Sequence, residues 1–342
     1  MASRILWASL ALAPATILID LVASPGKTGM FVLAAASLIP LAWLIGESTE
    51  HAAEHTGPGI GGYLNASFGN APELIIALAA VSDGLYGVVL GSLAGSVISN
   101  LLLVYGIAQL VAKDGAELDR RSLFPQVGLC GAAIAIALPA MILGWSGHSR
   151  HANVAASIPV AIVLLALYLV VAGRNLRRHS AAERTEASEN AWPLPVSLAA
   201  LAIATAFTAV ISEVLVHSLE AFAHAIGATD FFIAAIVVAV VGNAAEHGGA
   251  VVIARDGNMK LASEIAISSS AQVALLVTPV VMLLSLLFSH HLALTFRWEE
   301  TVAMGAAVAL TALAVTDGRS RRWEGGVLVT VFLAVAVWFW FA

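Results

Sequence analysis

The 342 residues are 60% hydrophobic and 11% charged, with a formal net charge of −6 and a mean hydropathy of +0.91. So apolar a chain is not a water-soluble domain, and its partner is the lipid bilayer. Charge is spread thinly, with neither an acidic tail nor a basic patch, which excludes nucleic acid as a partner.

Apolar stretches of about 20 residues, long enough to cross a bilayer, recur along the whole chain. They predict eleven helices, beginning near Ile5, Met30, Ile60, Val88, Phe124, Val154, Val196, Phe231, Leu261, Val302 and Val327. The first, from Ile5 to Val22, has no convincing cleavage site and contains Asp20, so it reads as a retained helix rather than a signal peptide. With no lipidation or organelle-targeting motif in view, the expected address is the plasma membrane.

Toward the end of helix two lie Glu47 and the run His51-Ala52-Ala53-Glu54-His55. That run fits the His-x-x-Glu-His pattern of inverted zinc peptidases, which keeps an enzyme reading in play as an alternative. Helix three carries Gly69-Asn70-Ala71-Pro72-Glu73. Asn70 and Glu73 are three positions apart and share a helix face. Pro72 cannot donate to the carbonyl of Phe68, so a kink is expected beside Glu73. Helix four has Gly87, Gly91 and Gly95 at a four-residue spacing that suits close helix packing. Ser96 and Ser99 follow on the same helix.

Cys130, the single cysteine, sits in the apolar run of helix five and reads as a small packing residue. The most polar stretch, Arg174 to Pro195, reads as an exposed hinge between two halves. Helix seven carries Glu213 and Glu220 near its end. Helix eight carries Gly242-Asn243-Ala244-Ala245-Glu246-His247, and helix nine carries Ser269 and Gln272. Trp338, Phe339 and Trp340 close the chain as an interfacial aromatic anchor.

Sliding the sequence along itself by 173 residues aligns Gly69-Asn70-Ala71-Pro72-Glu73 with Gly242-Asn243-Ala244-Ala245-Glu246, without a gap. At the same offset Asp83-Gly84 meets Asp256-Gly257, Ser96 meets Ser269, Ser99 meets Gln272, Glu47 meets Glu220 and His51 meets His224. So many matches at one offset indicate a duplication. The copies start five spans apart and therefore cross the membrane in opposite directions. The expected fold is an all-α polytopic membrane protein of eleven transmembrane helices. Its parts are an N-terminal helix (1–23), a first five-helix repeat (24–173), a cytoplasmic hinge (174–195) and an inverted second repeat (196–342). Inverted repeats of this kind build secondary transporters, with the substrate site near the midplane.

Assigning each Lys and Arg to a connector puts 13 on the N-terminal side and leaves Lys27, Arg150 and Arg297 on the other. The positive-inside rule then sets the N terminus and hinge in the cytoplasm and the C terminus outside.

Glu73 and Glu246 are the candidate metal ligands and proton carriers, with Asn70, Asn243, Ser96, Ser99, Ser269 and Gln272 as further oxygen donors. Such a set suits a hard divalent cation such as Ca2+, which takes about 6–8 oxygens. No sulfur is present, which disfavours soft metals. Two ionised carboxylates with one divalent ion are neutral, as are two protonated carboxylates with none. The empty, doubly ionised site is costly to occlude in hydrocarbon. If only the neutral states cross, divalent cation and protons are exchanged. His247 is a candidate orienting or proton-relay residue, and Glu47, Glu213 and Glu220 are candidates for an ion entrance. Nothing in the sequence calls for a cofactor; Ca2+ is the transported ion.

The segments Gly61 to Gly106 and Gly242 to Val277 resemble the signature repeats of the calcium/proton antiporter family, within the cation/calcium exchanger superfamily. Gly-Asn-Ala-Pro-Glu-Leu-Ile-Ile from Gly69, Gly-Ser-x-x-Gly-Ser from Gly91, Gly-Asn-Ala-Ala-Glu-His from Gly242, and Ser269 with Gln272 carry the likeness. The resemblance covers helices two to eleven. It implies eleven spans with helix one outside the repeats, Glu73 and Glu246 as alternating calcium and proton carriers, and Asn70, Asn243, Ser96, Ser269 and Gln272 as site-lining residues. Where many members carry an acidic segment between the halves, this chain has a mixed Arg/Glu stretch. Sodium/calcium exchangers tend to have Gly-Thr or Gly-Ser where Gly69-Asn70 stands, which favours protons over sodium. A sodium/calcium exchanger and a passive cation channel of the same fold remain the alternatives alongside the zinc peptidase.

Overall fold

The computed structural model describes the backbone of residues 2–23, 26–179 and 191–342, and side chains there except at 2–4, 56–67 and 175–179. The chain is almost wholly helical, as it must be where no water is present to satisfy backbone groups. In chain order the helices are α1 (Ala2–Ser9), α2 (Leu12–Ala23), α3 (Lys27–Phe68), α4 (Ala71–Ser82), α5 (Tyr86–Val111), α6 (Arg120–Trp145), α7 (Arg150–His179) and α8 (Leu194–Ile226). They continue with α9 (Asp230–Gly242), α10 (Ala244–Arg255), α11 (Met259–Ser285), α12 (Trp298–Val315) and α13 (Arg322–Phe341). Polar side chains start several of them. Asp119 accepts from the backbone N–H groups of Arg121 and Ser122, Thr229 from that of Phe232 and Asn258 from that of Leu261.

Among the described residues, nine helices are long and apolar enough to cross a membrane, or ten if the pair α9 and α10, bent by 59°, counts as one span. The departures from the predicted helices have local causes. Helix one is split at Leu10 because Pro14 has no N–H to offer the Leu10 carbonyl. Predicted helices two and three share the helical element α3, which runs on to Phe68. Ala71, just beyond its end, lies in the same small apolar cluster as Leu44 and Ile45. A straight helix would hold those residues about 40 Å apart, so α3 bends between them. Helix six runs on to His179 instead of ending at Gly173, and residues 180–190 of the predicted hinge lie outside the described residues. A two-residue ribbon, absent from the all-α prediction, pairs β1 (Ala116–Glu117) antiparallel to β2 (Arg319–Ser320).

The duplication is visible in the backbone. At an offset of 173 residues α4 superposes in sequence on α10, Ala71–Ser82 on Ala244–Arg255, and the starts of α5 and α11 coincide at Tyr86 and Met259. The intervening turns each use a glycine at positive φ, Gly84 at 72° and Gly257 at 95°. A π-helical turn interrupts α5 at Ser99–Val104 and α11 at Val273–Val277, again in register.

Connectors gather at two ends of the bundle. At one end β1 meets β2, Lys260 pairs with Glu117 at 3.0 Å and the Arg322 amide donates to Asp114 at 2.9 Å. At the other, the Trp145 indole donates to the Phe296 carbonyl at 2.8 Å, His290 meets the Ser82 carbonyl at 3.2 Å and His217 lies 3.3 Å from Asp83. Between them the longest packed seam joins α3 to α8, where Phe31 stacks on Phe222 with centroids 4.3 Å apart.

The glycine spacing on α5 has the packing role expected for two of its three members. Gly91 faces Phe231 and Ala234, and Gly95 lies against the backbone of Ala235 in the π-helical part of α9, whereas Gly87 has open space around it. A Cβ at residue 95 would stand 1.9 Å from the Ala235 carbonyl oxygen. Gly95→Ala is therefore expected to lower the unfolding midpoint of the detergent-purified protein, at a cost on the order of 1–3 kcal/mol for overpacking. Gly87→Ala should leave it unchanged, and equal midpoints for the two variants would contradict this crossing.

Candidate functional site

Both predicted motifs sit at helix breaks rather than on continuous helices. α3 ends at Phe68 and α4 begins at Ala71 with Pro72 in its first turn, where a missing N–H costs nothing. α9 ends at Gly242 and α10 begins at Ala244, so the second copy opens without a proline, at its glycine. Asn70 and Asn243 are the non-helical residues between, with matching backbone angles of φ −96°, ψ 16° and φ −97°, ψ 7°. Asn70 and Glu73 thus share a break rather than a helix face. Glu73 and Glu246 each fall in the first turn of a half-helix, where the positive end of the helix dipole favours negative charge.

Glu73 packs toward Gly242 of the opposite break, four residues before Glu246. Glu73 is buried and Glu246 half-buried. In each, Oε2 is buried and has no hydrogen-bond partner among the described residues. Unpaired buried oxygens of this kind are rare because each forfeits its hydration. A narrow cavity lined by Glu73 also touches Ser92, Ser96, Val238 and Gly242.

Around the carboxylates the polar side chains bond from one half of the chain to the other. Asn70 Nδ2 donates to Gln272 Oε1 at 2.7 Å, and Asn243 Nδ2 donates to Ser96 Oγ at 3.0 Å and to the Ala239 carbonyl at 3.0 Å. Ser269 bonds to the Glu246 carboxylate and accepts from Asn100 Nδ2 at 3.2 Å. The other end of Asn100, Oδ1, meets His247 Nε2 at 2.9 Å. Glu73, Glu246, Asn70, Asn243, Ser96, Ser269 and Gln272 therefore form one cluster, with His247 attached to it through Asn100. Ser99 is spent locally, its hydroxyl donating to the Ser96 carbonyl at 3.3 Å.

The remaining candidates lie apart. Glu47 is 3.6 Å from His51, while Glu213 and Glu220 are exposed on α8. His51 stacks on Trp192 with centroids 4.6 Å apart, and His55 Nε2 is 2.6 Å from the Trp192 carbonyl oxygen. These imidazoles pack against the start of the second half. No group of three His, Cys, Asp or Glu suited to a metal occurs among the described residues.

Asn100 is the site residue that sequence reasoning missed. Its counterpart at the 173-residue offset is Val273, so a search for repeated polar positions passes over it. The usable signal is an amide side chain inside an apolar run, one residue from Ser99.

With this geometry in view, comparison with known proteins is decisive: the sodium/calcium exchanger protein family matches residues 26–176 and 196–341, nearly the whole chain in two segments. The chain belongs to that family. The exchanger is 37% identical over 322 residues to the Ca2+/H+ antiporter ChaA of Bacillus subtilis, an alignment covering 91% of each protein. It superposes on the solved structure of native YfkE with a TM-score of 0.86 and 33% identity, covering 98% of this chain and 100% of that one. The fold also matches that of the H+/Ca2+ exchanger CAX, at a TM-score of 0.75 and 15% identity over 99% of this chain and 92% of that one. The expected calcium/proton antiporter resemblance and a multi-pass membrane fold are thereby established, and the relatives are named transporters rather than enzymes.

If Asn100 joins the cluster to His247, replacing it strands two buried groups. Asn100→Leu is expected to destabilise the exchanger by roughly 1–3 kcal/mol. In a double-mutant cycle read by thermal unfolding in detergent, His247→Leu should cost less in the Asn100→Leu background than alone. Strict additivity would remove the link.

Proposed function

We propose that this exchanger moves Ca2+ in one direction and protons in the other by alternating access, with Glu73 and Glu246 as the shared carriers. The observation that carries the reading is a glutamate in the first turn beyond each of the two breaks, each with a buried oxygen lacking a partner among the described residues. The neighbouring donors Asn70, Asn243, Ser96, Ser269 and Gln272 bring only amide and hydroxyl groups, which suits a hard cation. The charge rule follows. One Ca2+ between two carboxylates is neutral, two protons on them are neutral, and the empty ionised pair is costly to enclose. The Ca2+/H+ antiporter named among the relatives supports the same pairing of ions.

Alternating access needs two halves related by inversion, and the connector contacts support that arrangement. The Ser82–Tyr86 turn lies by His290, whereas its counterpart Arg255–Met259 adjoins Lys260, which pairs with Glu117 at the opposite end. We read the chain as eleven spans, α3 and α4 together supplying the second and third, with α1 and α2 outside the repeats. The end rich in Lys and Arg, holding Lys113, Arg120, Arg121, Arg255, Lys260, Arg319, Arg321 and Arg322, faces the cytoplasm, together with the 174–195 hinge. The C terminus is then extracytoplasmic, and the plasma membrane is the site of action.

In proteoliposomes, an imposed proton gradient should drive Ca2+ uptake, and Glu73→Gln or Glu246→Gln should abolish it, because neither variant can reach both neutral states. Gradient-driven uptake retained in both variants would overturn the mechanism. Rapid Ca2+ flux that ignores the gradient would identify a channel instead.

A further inference from the structure

At the end of the bundle opposite the β ribbon, a cleft of about 370 Å³ is lined by Tyr86, Arg150, His151, Ser289, His290 and His291. It lies between the start of α5, the start of α7 and the connector that joins α11 to α12. The Arg150 guanidinium sits 3.6 Å from the Tyr86 ring centroid and donates to the His291 carbonyl at 2.5 Å. His290 is fixed edge-on to Tyr86, with centroids 6.4 Å apart, and reaches the Ser82 carbonyl at 3.2 Å. Deeper in the same connector, the Leu294 amide donates to Ser157 Oγ on α7 at 2.8 Å. The cleft is thus walled by groups that the fold already holds in place.

Its chemistry is one-sided. The lining offers a permanent cation, three imidazoles and two hydroxyls, and no carboxylate among the described residues. The nearest turn carries an acid, Asp83, but His217 engages it at 3.3 Å. The imidazoles do not converge as metal ligands among the described residues. A guanidinium fork with several N–H and O–H donors around it matches a tetrahedral oxyanion, which can accept from all of them at once. The depth is that of the lipid headgroups. Trp145 and Trp298, 45% and 54% exposed at this same end, have the character of an interfacial aromatic belt.

We propose that this cleft binds a phosphate group, supplied by a phospholipid headgroup or by free phosphate, which bridges Arg150 and His151 on α7 to Ser289, His290 and His291 on the connector. Such a bridge ties the second half of the chain to the first away from the carboxylate pair. It does not depend on which ions the exchanger carries.

The full chain, purified in detergent, is titrated with inorganic phosphate and separately with a short-chain phosphatidylglycerol, with binding read from broadening of the 31P resonance. Saturable binding is expected, weakened roughly tenfold or more in Arg150→Gln and in His151→Gln. His151→Gln leaves the Arg150 contact to the His291 carbonyl in place, so its loss of affinity separates binding from unfolding. Saturation by both ligands identifies the phosphate group itself as sufficient, whereas saturation by the lipid alone identifies the bilayer as the source. No saturable binding of either, or affinity unchanged in both variants, overturns the proposal.

Discussion

The structure is organised around the cost of placing an ionised carboxylate in hydrocarbon. Two such groups, Glu73 and Glu246, each follow a helix break, and the backbone around them reduces that cost. Each glutamate lies in the first turn of a half-helix, at the positive end of its dipole. Each break places an asparagine in an irregular conformation, and irregular backbone at membrane depth is tolerated where it is buried in protein. The residual deficit is one oxygen on each carboxylate without a hydrogen-bond partner among the described residues.

Much of this was legible before any coordinates. Length of apolar runs fixed the class of fold, and the constant 173-residue offset paired Glu73 with Glu246 and Ser96 with Ser269, but each motif read as one helix face rather than as a break. The offset detects only what both copies keep, so Asn100, opposite Val273, was invisible to it. Hydropathy also misplaced boundaries that depend on hydrogen bonding rather than apolarity. The split at Leu10 follows from a missing proline N–H, and the polar run from Glu47 to Gly59, read as a gap between two helices, lies inside the helical element α3. Pro72 was read as the cause of a kink, yet the second copy breaks at the same register with Ala245 in its place. The break therefore belongs to the Gly-Asn pair, and proline is merely compatible with the turn that follows. Ser99 was legible as a hydroxyl but not as a self-bonded one, because sequence spacing does not reveal that Ser96 offers a nearer carbonyl.

The π-helical turns in α5 and α11 connect local backbone to the site. They begin at Ser99 and just after Gln272, positions that the repeat aligns, and the first of them holds Asn100. A π turn shifts the helix phase, so side chains before and after it face different neighbours. On α5 the earlier residues meet the cluster through Ser96, while Thr311 of α12 bonds to the carbonyl of Leu101 within the turn at 3.2 Å. The third π segment, in α9, is the surface against which Gly95 lies, which brings α5 close against the discontinuous span formed by α9 and α10.

The bonds from Asn70 to Gln272 and from Asn243 to Ser96 are not images of each other, because the repeat makes Gln272 equivalent to Ser99 and Ser96 equivalent to Ser269. Two copies of the first half set together would place Ser99 opposite Asn70. A serine hydroxyl is too short to span the distance that the glutamine side chain covers. Each half therefore supplies a partner that the other lacks, and neither half completes the polar cluster by pairing with itself.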